Sequence, residues 1–159
     1  YNADMTRTIP VNGRFSSRQK QVYQAVHSVL NYATEIMQPG VFWVDYQKEV
    51  EHFMEGQLID LGLFSRADVE KQNPANPLFK KYFMHGVAHH LGIDVHDVWD
   101  KYKPFAAGMV LTCEPGIYIR EEGLGIRLEN NLLITDKGAV NLMNNIPIDW
   151  EEIETLMNS

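Results

Sequence analysis

The stretch Met84-His85-Gly86-Val87-Ala88-His89-His90-Leu91-Gly92-Ile93-Asp94-Val95-His96-Asp97 holds four of the chain's six histidines within twelve positions. A solitary buried histidine is usually a hydrogen-bonded core residue, but imidazole is also a common metal ligand, and four rings this close together point to a site. Downstream, two acids interrupt apolar sequence. Glu114 ends the run Met109–Cys113 ahead of Pro115-Gly116, and Glu129 lies within Ile126-Arg127-Leu128-Glu129-Asn130-Asn131-Leu132-Leu133-Ile134. A carboxylate in such surroundings is costly to desolvate unless a cation or strong donors compensate it, so each is a candidate ligand or ion-pair partner. The plainer reading of Glu129 is a salt bridge to Arg127, two residues away on the same face of a strand. For Glu114 it is an edge-strand acid facing water. An imidazole with several carboxylates suits hard or borderline divalent ions such as Mn²⁺, Co²⁺ or Zn²⁺. Where two ions share bridging carboxylates, the water between them loses a proton readily and becomes a nucleophile at neutral pH.

Upstream of the histidines the pattern is helical. Ser16 and Gln19 form a capping box, followed by Val22, Tyr23, Val26, Val29, Leu30, Ala33 and Met37 at helical spacing. Pro39-Gly40 ends that helix. Tyr46, Val50, Phe53, Met54 and Leu61 predict a second amphipathic helix from about Asp45 to Gly62. Residues Ser65 to Pro77 read as a connection with one helical turn near Ala67-Asp68-Val69. Before the first helix, Thr6 to Val11 reads as a strand that exits through Asn12-Gly13. After Phe79, short apolar runs predict strands at Met109–Cys113, Ile117–Arg120 and Ile126–Thr135, the last turned by Asp136-Lys137-Gly138. Trp150–Met157 reads as an acidic helix. His90, next to His89 on an extended segment, should face away from the site. Asp97 either supports the site from behind or caps a helix.

Composition narrows the function. The 159 residues carry 45% hydrophobic and 22% charged side chains, as a single soluble domain does. The formal net charge is −7, with no Lys/Arg run, which argues against a nucleic-acid partner. No apolar stretch is long enough for a membrane span, and none reads as a leader, so a cytoplasmic location is expected. The single Cys113 excludes an internal disulfide and a cysteine-based zinc knuckle. A chain opening on Tyr1 with no helix start or cap reads as a fragment.

Three motifs recur in this order in aminopeptidase P and prolidase. They are His-Gly-x-x-His-x-Leu-Gly-x-Asp-Val-His-Asp at His85–Asp97, Glu114-Pro115-Gly116-Ile117-Tyr118, and Gly125-Ile126-Arg127-Leu128-Glu129. The opening Asp4-Met5-Thr6-Arg7-Thr8 is similar to the same proteins' Asp-x-Thr-Arg-Thr. The chain therefore resembles the C-terminal part of an Xaa-Pro aminopeptidase, from its first residue to about Asp136. Phe83-Met84-His85 and the Leu91–Asp97 ending look more like aminopeptidase P than like methionine aminopeptidase.

The resemblance implies an α+β pita-bread (creatinase/aminopeptidase) fold, incomplete at its N-terminal side. Residues 1–159 would form the C-terminal part of one metallopeptidase catalytic domain. It implies two divalent ions in the whole enzyme, Mn²⁺ first, with Co²⁺ or Zn²⁺ as alternatives. Asp4 and Glu129 would bridge them, with His89 and Glu114 completing one. Glu114 would also shuttle a proton, His85 and His96 would contact substrate and stabilise the tetrahedral intermediate, and Arg127 would stand beside the site, binding substrate and supporting the carboxylates. Asn130 stands where an aspartate is common. The family's first aspartate ligand lies upstream of the position matched by Asp4. These residues alone are thus expected to hold one ion well and the other weakly, and to be inactive in isolation. The implied substrates are peptides with proline at the second position. Prolidase, which takes only dipeptides, and metal-free pita-bread modules that bind peptides or proteins are the alternatives. Retention of every ligand position the chain reaches favours an enzyme. An absent half would leave sheet and helix surface uncovered, favouring association, a homo-oligomer included.

Overall fold

Ser16 starts the first helix as its sequence predicts. Its hydroxyl accepts the Gln19 N–H at 3.2 Å, and the Gln19 side chain accepts the Ser16 N–H at 2.8 Å, so two otherwise free donors are satisfied. The computed structural model covers residues 1–159 and runs α1 over Ser17–Ile36. Helix α2 spans Trp43–Asp60, starting two residues before the predicted Asp45, and packs against α1. Gly40, at φ 89°, makes the turn between them in the left-handed conformation that glycine adopts freely. Along α2, Tyr46, Val50, Met54 and Leu58 recur every fourth residue and are fully buried. Each side chain of this size contributes about 1.5–3 kcal/mol on leaving water. The predicted helical turn near Ala67 is a short helix, α3 (Arg66–Lys71), with its own capping box between Ser65 and Asp68.

The strands form two small antiparallel sheets. Strands β1 (Val110–Cys113), β4 (Asn130–Thr135) and β5 (Gly138–Asn141) make one, in the order β1-β4-β5. Strands β2 (Gly116–Ile119) and β3 (Leu124–Arg127) make the other, with Ile117 opposite Ile126. Helix α1 packs on both sheets, and the buried Leu111, Cys113, Ile117, Ile126, Leu132 and Ile134 join the helices in one core. Cys113 meets Tyr46 of α2, sulfur to hydroxyl oxygen at 3.6 Å. Helix α4 (Trp150–Met157) forms as predicted, and Asn158 at its end donates to the Gly13 carbonyl at 2.7 Å.

Two strand expectations are corrected. The predicted strand Ile126–Thr135 is two strands in different sheets. At the break, Leu128 N–H donates to Pro115 O at 3.2 Å and Glu129 N–H to Thr6 O at 3.1 Å, so the backbone changes partners twice. The apolar run continues through the break because Ile126, Leu128, Leu132 and Ile134 all enter the same core. The predicted strand Thr6–Val11 joins no ladder, although Gly13 turns at φ 77° where expected. There Thr8 Oγ1 accepts the Arg127 N–H at 3.2 Å and donates to Arg127 O at 2.9 Å, a side chain in place of a neighbouring strand's backbone. No helix is long and apolar enough to cross a membrane. Val11, Ile93, Val98 and Tyr102 expose apolar side chains.

Candidate metal centre

The site is assembled from four separate places in the chain. Its foundation is Thr6-Arg7-Thr8, whose side chains alternate in direction as in any extended segment. Thr8 ties down Arg127 as described above. On the same side, Thr6 Oγ1 accepts from Arg127 Nε at 3.0 Å and donates to Glu129 Oε2 at 2.7 Å. Arg7 reaches the other way, donating to Glu129 O at 2.6 Å, Asn130 Oδ1 at 2.8 Å and Pro147 O at 2.8 Å. Glu129 is thus gripped through both its backbone and one carboxylate oxygen, which places Asp4, two residues before Thr6, beside it.

His89 enters from a segment that runs along β1. Its N–H donates to Thr112 Oγ1 at 3.0 Å, and its C=O accepts the Thr112 N–H at 2.9 Å. The His89 Nδ1 lies 3.0 Å from the His90 carbonyl. A carbonyl only accepts, so Nδ1 carries the proton, and Nε2 of the neutral ring is left with a free lone pair. That Nε2 is 3.6 Å from Asp4 Oδ2 and 3.5 Å from Glu114 Oε1. His90 points away as expected, packing on Trp99 with ring centroids 5.1 Å apart, and burial lowers its pKa. The structure brings Asp4, His89 and Glu129 together, with donor atoms all within 4.8 Å of one another. Glu114 stands at the edge of this trio, between His89 and the Arg127 guanidinium, which is 4.0 Å away. The Arg127–Glu129 salt bridge, the plainer alternative for Glu129, does not form. The strand breaks between them, and Arg127 turns to Glu114 and Thr6 instead.

The trio suits a divalent ion. Donors at about 2.0–2.2 Å from a common centre lie about 3–3.5 Å apart, close to the separations around His89 Nε2. Glu129 is 1% exposed, and its second oxygen, Oε1, is buried without a hydrogen-bond partner. Burial raises its carboxyl above the usual range, the Thr6 hydrogen bond opposes that, and Glu114 and Asp4 add to it. A buried anion crowded by two others is the arrangement a cation relieves. Above the trio, a cleft of about 500 Å³ is lined by Asp4, His85, Gly86, Ala88, His89, His96, Glu114 and Arg127, so every predicted site residue except the buried Glu129 faces it. The His96 ring stacks on His89 at 3.9 Å between centroids and 12° between planes. His85 Nδ1 donates to Gly86 O at 2.8 Å, and in the neutral ring Nε2 accepts from Tyr118 O–H at 2.8 Å. Cys113 takes no part: it is fully buried, and burial pushes its thiol up to about 12.

The sequence profile of metallopeptidase family M24 matches residues 1–136. The chain belongs to this family. Among curated relatives, the Xaa-Pro aminopeptidases of Haemophilus influenzae and Escherichia coli are 39% and 38% identical, each over 99% of the chain. The chain spans 39% and 38% of the lengths of those two relatives. A solved structure of zinc-substituted Escherichia coli aminopeptidase P in complex with product superposes with a TM-score of 0.87 at 36% identity. It covers 98% of this chain and 38% of that one. At that identity the likeness extends beyond topology, and the M24 chain has the expected mixed α/β pita-bread architecture, of which it presents a part.

Thr6, Arg7, Thr8 and Tyr118, quoted above only as parts of motifs, act at the site without having been given a role from the sequence. Their signal was present in the alternation Thr6-Arg7-Thr8, where two hydroxyls on one side flank a cation on the other. Nothing local says that these groups meet residues 127–130, more than a hundred positions away.

Proposed function

We propose that this M24 chain is the C-terminal part of the catalytic domain of a metal-dependent aminopeptidase that releases the first residue of peptides with proline second. The observation that carries the reading is the trio Asp4, His89 and Glu129 with the unpartnered buried Glu129 Oε1 beneath an open cleft. Asp4, His89, Glu114 and Glu129 are the metal donors. The whole protein holds two divalent ions, Mn²⁺, Co²⁺ or Zn²⁺. These 159 residues hold one of them firmly and do not turn over substrate alone. The zinc-substituted relative in complex with product is in keeping with such a donor set.

When bound, the metal polarises the scissile carbonyl and acidifies water. Glu114, at the edge of the trio, accepts a proton from the attacking water at a carboxylate oxygen and passes it to the departing proline nitrogen. Arg127 stands 4.0 Å from Glu114 and, through Thr6, orients Glu129. His89, its tautomer fixed by the His90 carbonyl, presents only Nε2 to the centre. His96 faces the cleft as a donor to the peptide's carbonyl oxygen as charge develops there, and His85, whose two ring nitrogens are engaged by Gly86 O and Tyr118 O–H, lines the same cleft against the substrate. Tyr118 orients His85.

Metal content after equilibration with Mn²⁺ and dialysis tests the reading. About one ion per chain is expected, with none in Glu129→Ala and far less in Glu114→Ala. No retained ion in the parent chain would show that these donors do not suffice. With the full-length protein, cleavage of Xaa-Pro dipeptides against longer Xaa-Pro peptides tells an aminopeptidase from a dipeptidase, and cleavage of neither removes the proposal.

A further inference from the structure

His96 lies in a stretch, Leu91 to Asp100, with no helix or strand, yet its ring is held flat on His89. The bonds that shape this stretch converge on one side chain. Asp97 Oδ2 accepts the Ile93 N–H at 2.8 Å, and Asp97 Oδ1 accepts the Val98 N–H at 2.7 Å. The Asp97 N–H donates to His90 O at 3.1 Å, the same carbonyl that takes His89 Nδ1–H. Both carboxylate oxygens are therefore engaged by backbone donors, and the residue lies outside the donor trio. No helix follows it to be capped.

Gly92 supplies the other half. Its backbone is not in the left-handed region, so glycine is not required there for conformation. It is required for room: a Cβ at position 92 would lie 1.9 Å from Asp97 Oδ2 and 3.0 Å from Asp97 Cγ. The closed loop also holds the segment that carries Asp4. Asn2 N–H donates to Gly92 O at 2.8 Å, and Asn2 Nδ2 donates to Ile93 O.

We propose that Asp97, seated against Gly92, is a positioning residue of this site. It closes the Ile93–Asp97 loop so that His96 stays stacked on His89, and it presents the Gly92 and Ile93 carbonyls that anchor the Asp4 segment. Asp97 belongs neither to the donor trio nor to the lining of the cleft. Only the effect on metal affinity rests on the metal-centre reading; the geometry of His96 and Asn2 does not.

The test compares the metal-free and Mn²⁺-loaded chain with Asp97→Ala, Asp97→Asn, Gly92→Ala and the Gly92→Ala/Asp97→Ala double variant. Amide exchange and imidazole proton shifts are followed by NMR. In metal-free Asp97→Ala, the Ile93, Val98 and Asn2 amides should exchange roughly tenfold faster, as when a charged acceptor is lost. The His96 ring protons should move toward free-histidine shifts while core amides such as Leu111 and Ile134 stay in place. Asp97→Asn, which keeps one acceptor oxygen, should fall between. Gly92→Ala should reproduce Asp97→Ala, and the double variant should be no worse than the worse single, as expected of two halves of one device. The Mn²⁺ dissociation constant should rise about tenfold, the scale of losing a group that orients a ligand. Unchanged His96 shifts in Asp97→Ala, additive effects in the double variant, or collapse of the core amides in Asp97→Asn would each overturn the assignment. If the parent chain bound no Mn²⁺, the metal reading would fail while the NMR results still decided the role of Asp97.

Discussion

Along α2 a fully buried apolar side chain recurs every fourth residue, α1 packs against the helix, and Cys113 of β1 meets Tyr46. Around the cleft, His85, His89, Glu114 and Arg127 are only partly buried and His96 is exposed, and they are held by individual polar contacts and one ring stack: His85 to Gly86 O, His89 to His90 O, Arg127 to Thr6 Oγ1 and His96 on His89. The helix pair is held by the area it removes from water, which is additive and tolerant of register. The cleft is held by individual donors and acceptors, each in a fixed direction. Damage to the first region should therefore lower stability and leave the site's chemistry intact in folded molecules, whereas damage to the second should do the reverse.

The largest effect is expected at Leu58, fully buried in α2. Leu58→Ala leaves a cavity and should cost about 2–5 kcal/mol, a fall in Tm of roughly 5–15 °C for a chain of this size. Below that Tm, Mn²⁺ uptake per folded chain should match the parent. A lost or weakened uptake at a temperature where the variant is folded would break the separation between the two regions.

Arg7 is held by several acceptors at once. It donates to Glu129 O, Asn130 Oδ1, Pro147 O and, at 3.0 Å, Thr6 O, and burial lowers its pKa. Arg7→Lys keeps the charge but not the planar fork, so several of these acceptors lose their donor. A loss of about 2–3 kcal/mol in denaturant titration is expected, with Mn²⁺ affinity falling as well. A variant as stable as the parent would mean that water replaces the guanidinium.

This division also explains what the sequence made legible. Helices α1, α2 and α4 were readable because a 3.6-residue period survives whatever the helix packs on. The histidine cluster and the two interrupting acids marked the site because those residue types are costly where they stand. The break between β3 and β4 was hidden. Arg127-Leu128-Glu129-Asn130 keeps the alternation of a strand while its backbone passes from Arg127's partner Gly116 to Pro115, then to Thr6, and then to Cys113. The predicted strand at Thr6–Val11 failed for the related reason that Thr8 replaces the ladder with its hydroxyl. Register and partner exchange are set by contacts distant in sequence, and no local period reports them.

Glu129 sharpens the comparison through pH. Burial raises its carboxyl above the ordinary 4.5. A group raised in the fold contributes stability that is complete below its unfolded value and is lost as pH rises through the folded value. The metal-free chain should therefore lose stability from this residue on going upward from about pH 4.5. Glu129→Gln should remove that part of the slope. His90 acts in the opposite sense, since burial lowers it below 6.5 and its contribution is lost as pH falls, so the informative quantity is the difference between variant and parent. At pH 7, Mn²⁺ at about 100 times its Kd should stabilise the parent by about 2.7 kcal/mol and leave the Glu129→Gln midpoint unmoved. Equal Mn²⁺ stabilisation of both proteins would remove Glu129 from the donor set.

The smallest effect, and the most discriminating, is expected at Thr6. Its hydroxyl accepts from Arg127 Nε and donates to Glu129 Oε2, so one oxygen couples a cation that faces the cleft to a carboxylate beneath it. Thr6→Val keeps the volume and the β-branch and deletes only that link. Core packing is untouched, and the stability change should stay near 1 kcal/mol. Mn²⁺ affinity should nevertheless fall by about tenfold, because Glu129 loses the donor that orients it. Thr8→Val is the internal control, since the Thr8 hydroxyl bonds only the Arg127 backbone and not the carboxylate. A Thr8→Val variant that loses as much affinity as Thr6→Val would show that the segment's placement, rather than the hydroxyl link to Glu129, governs the donors. Retained affinity in Thr8→Val alone would locate the coupling in the Arg127–Thr6–Glu129 chain.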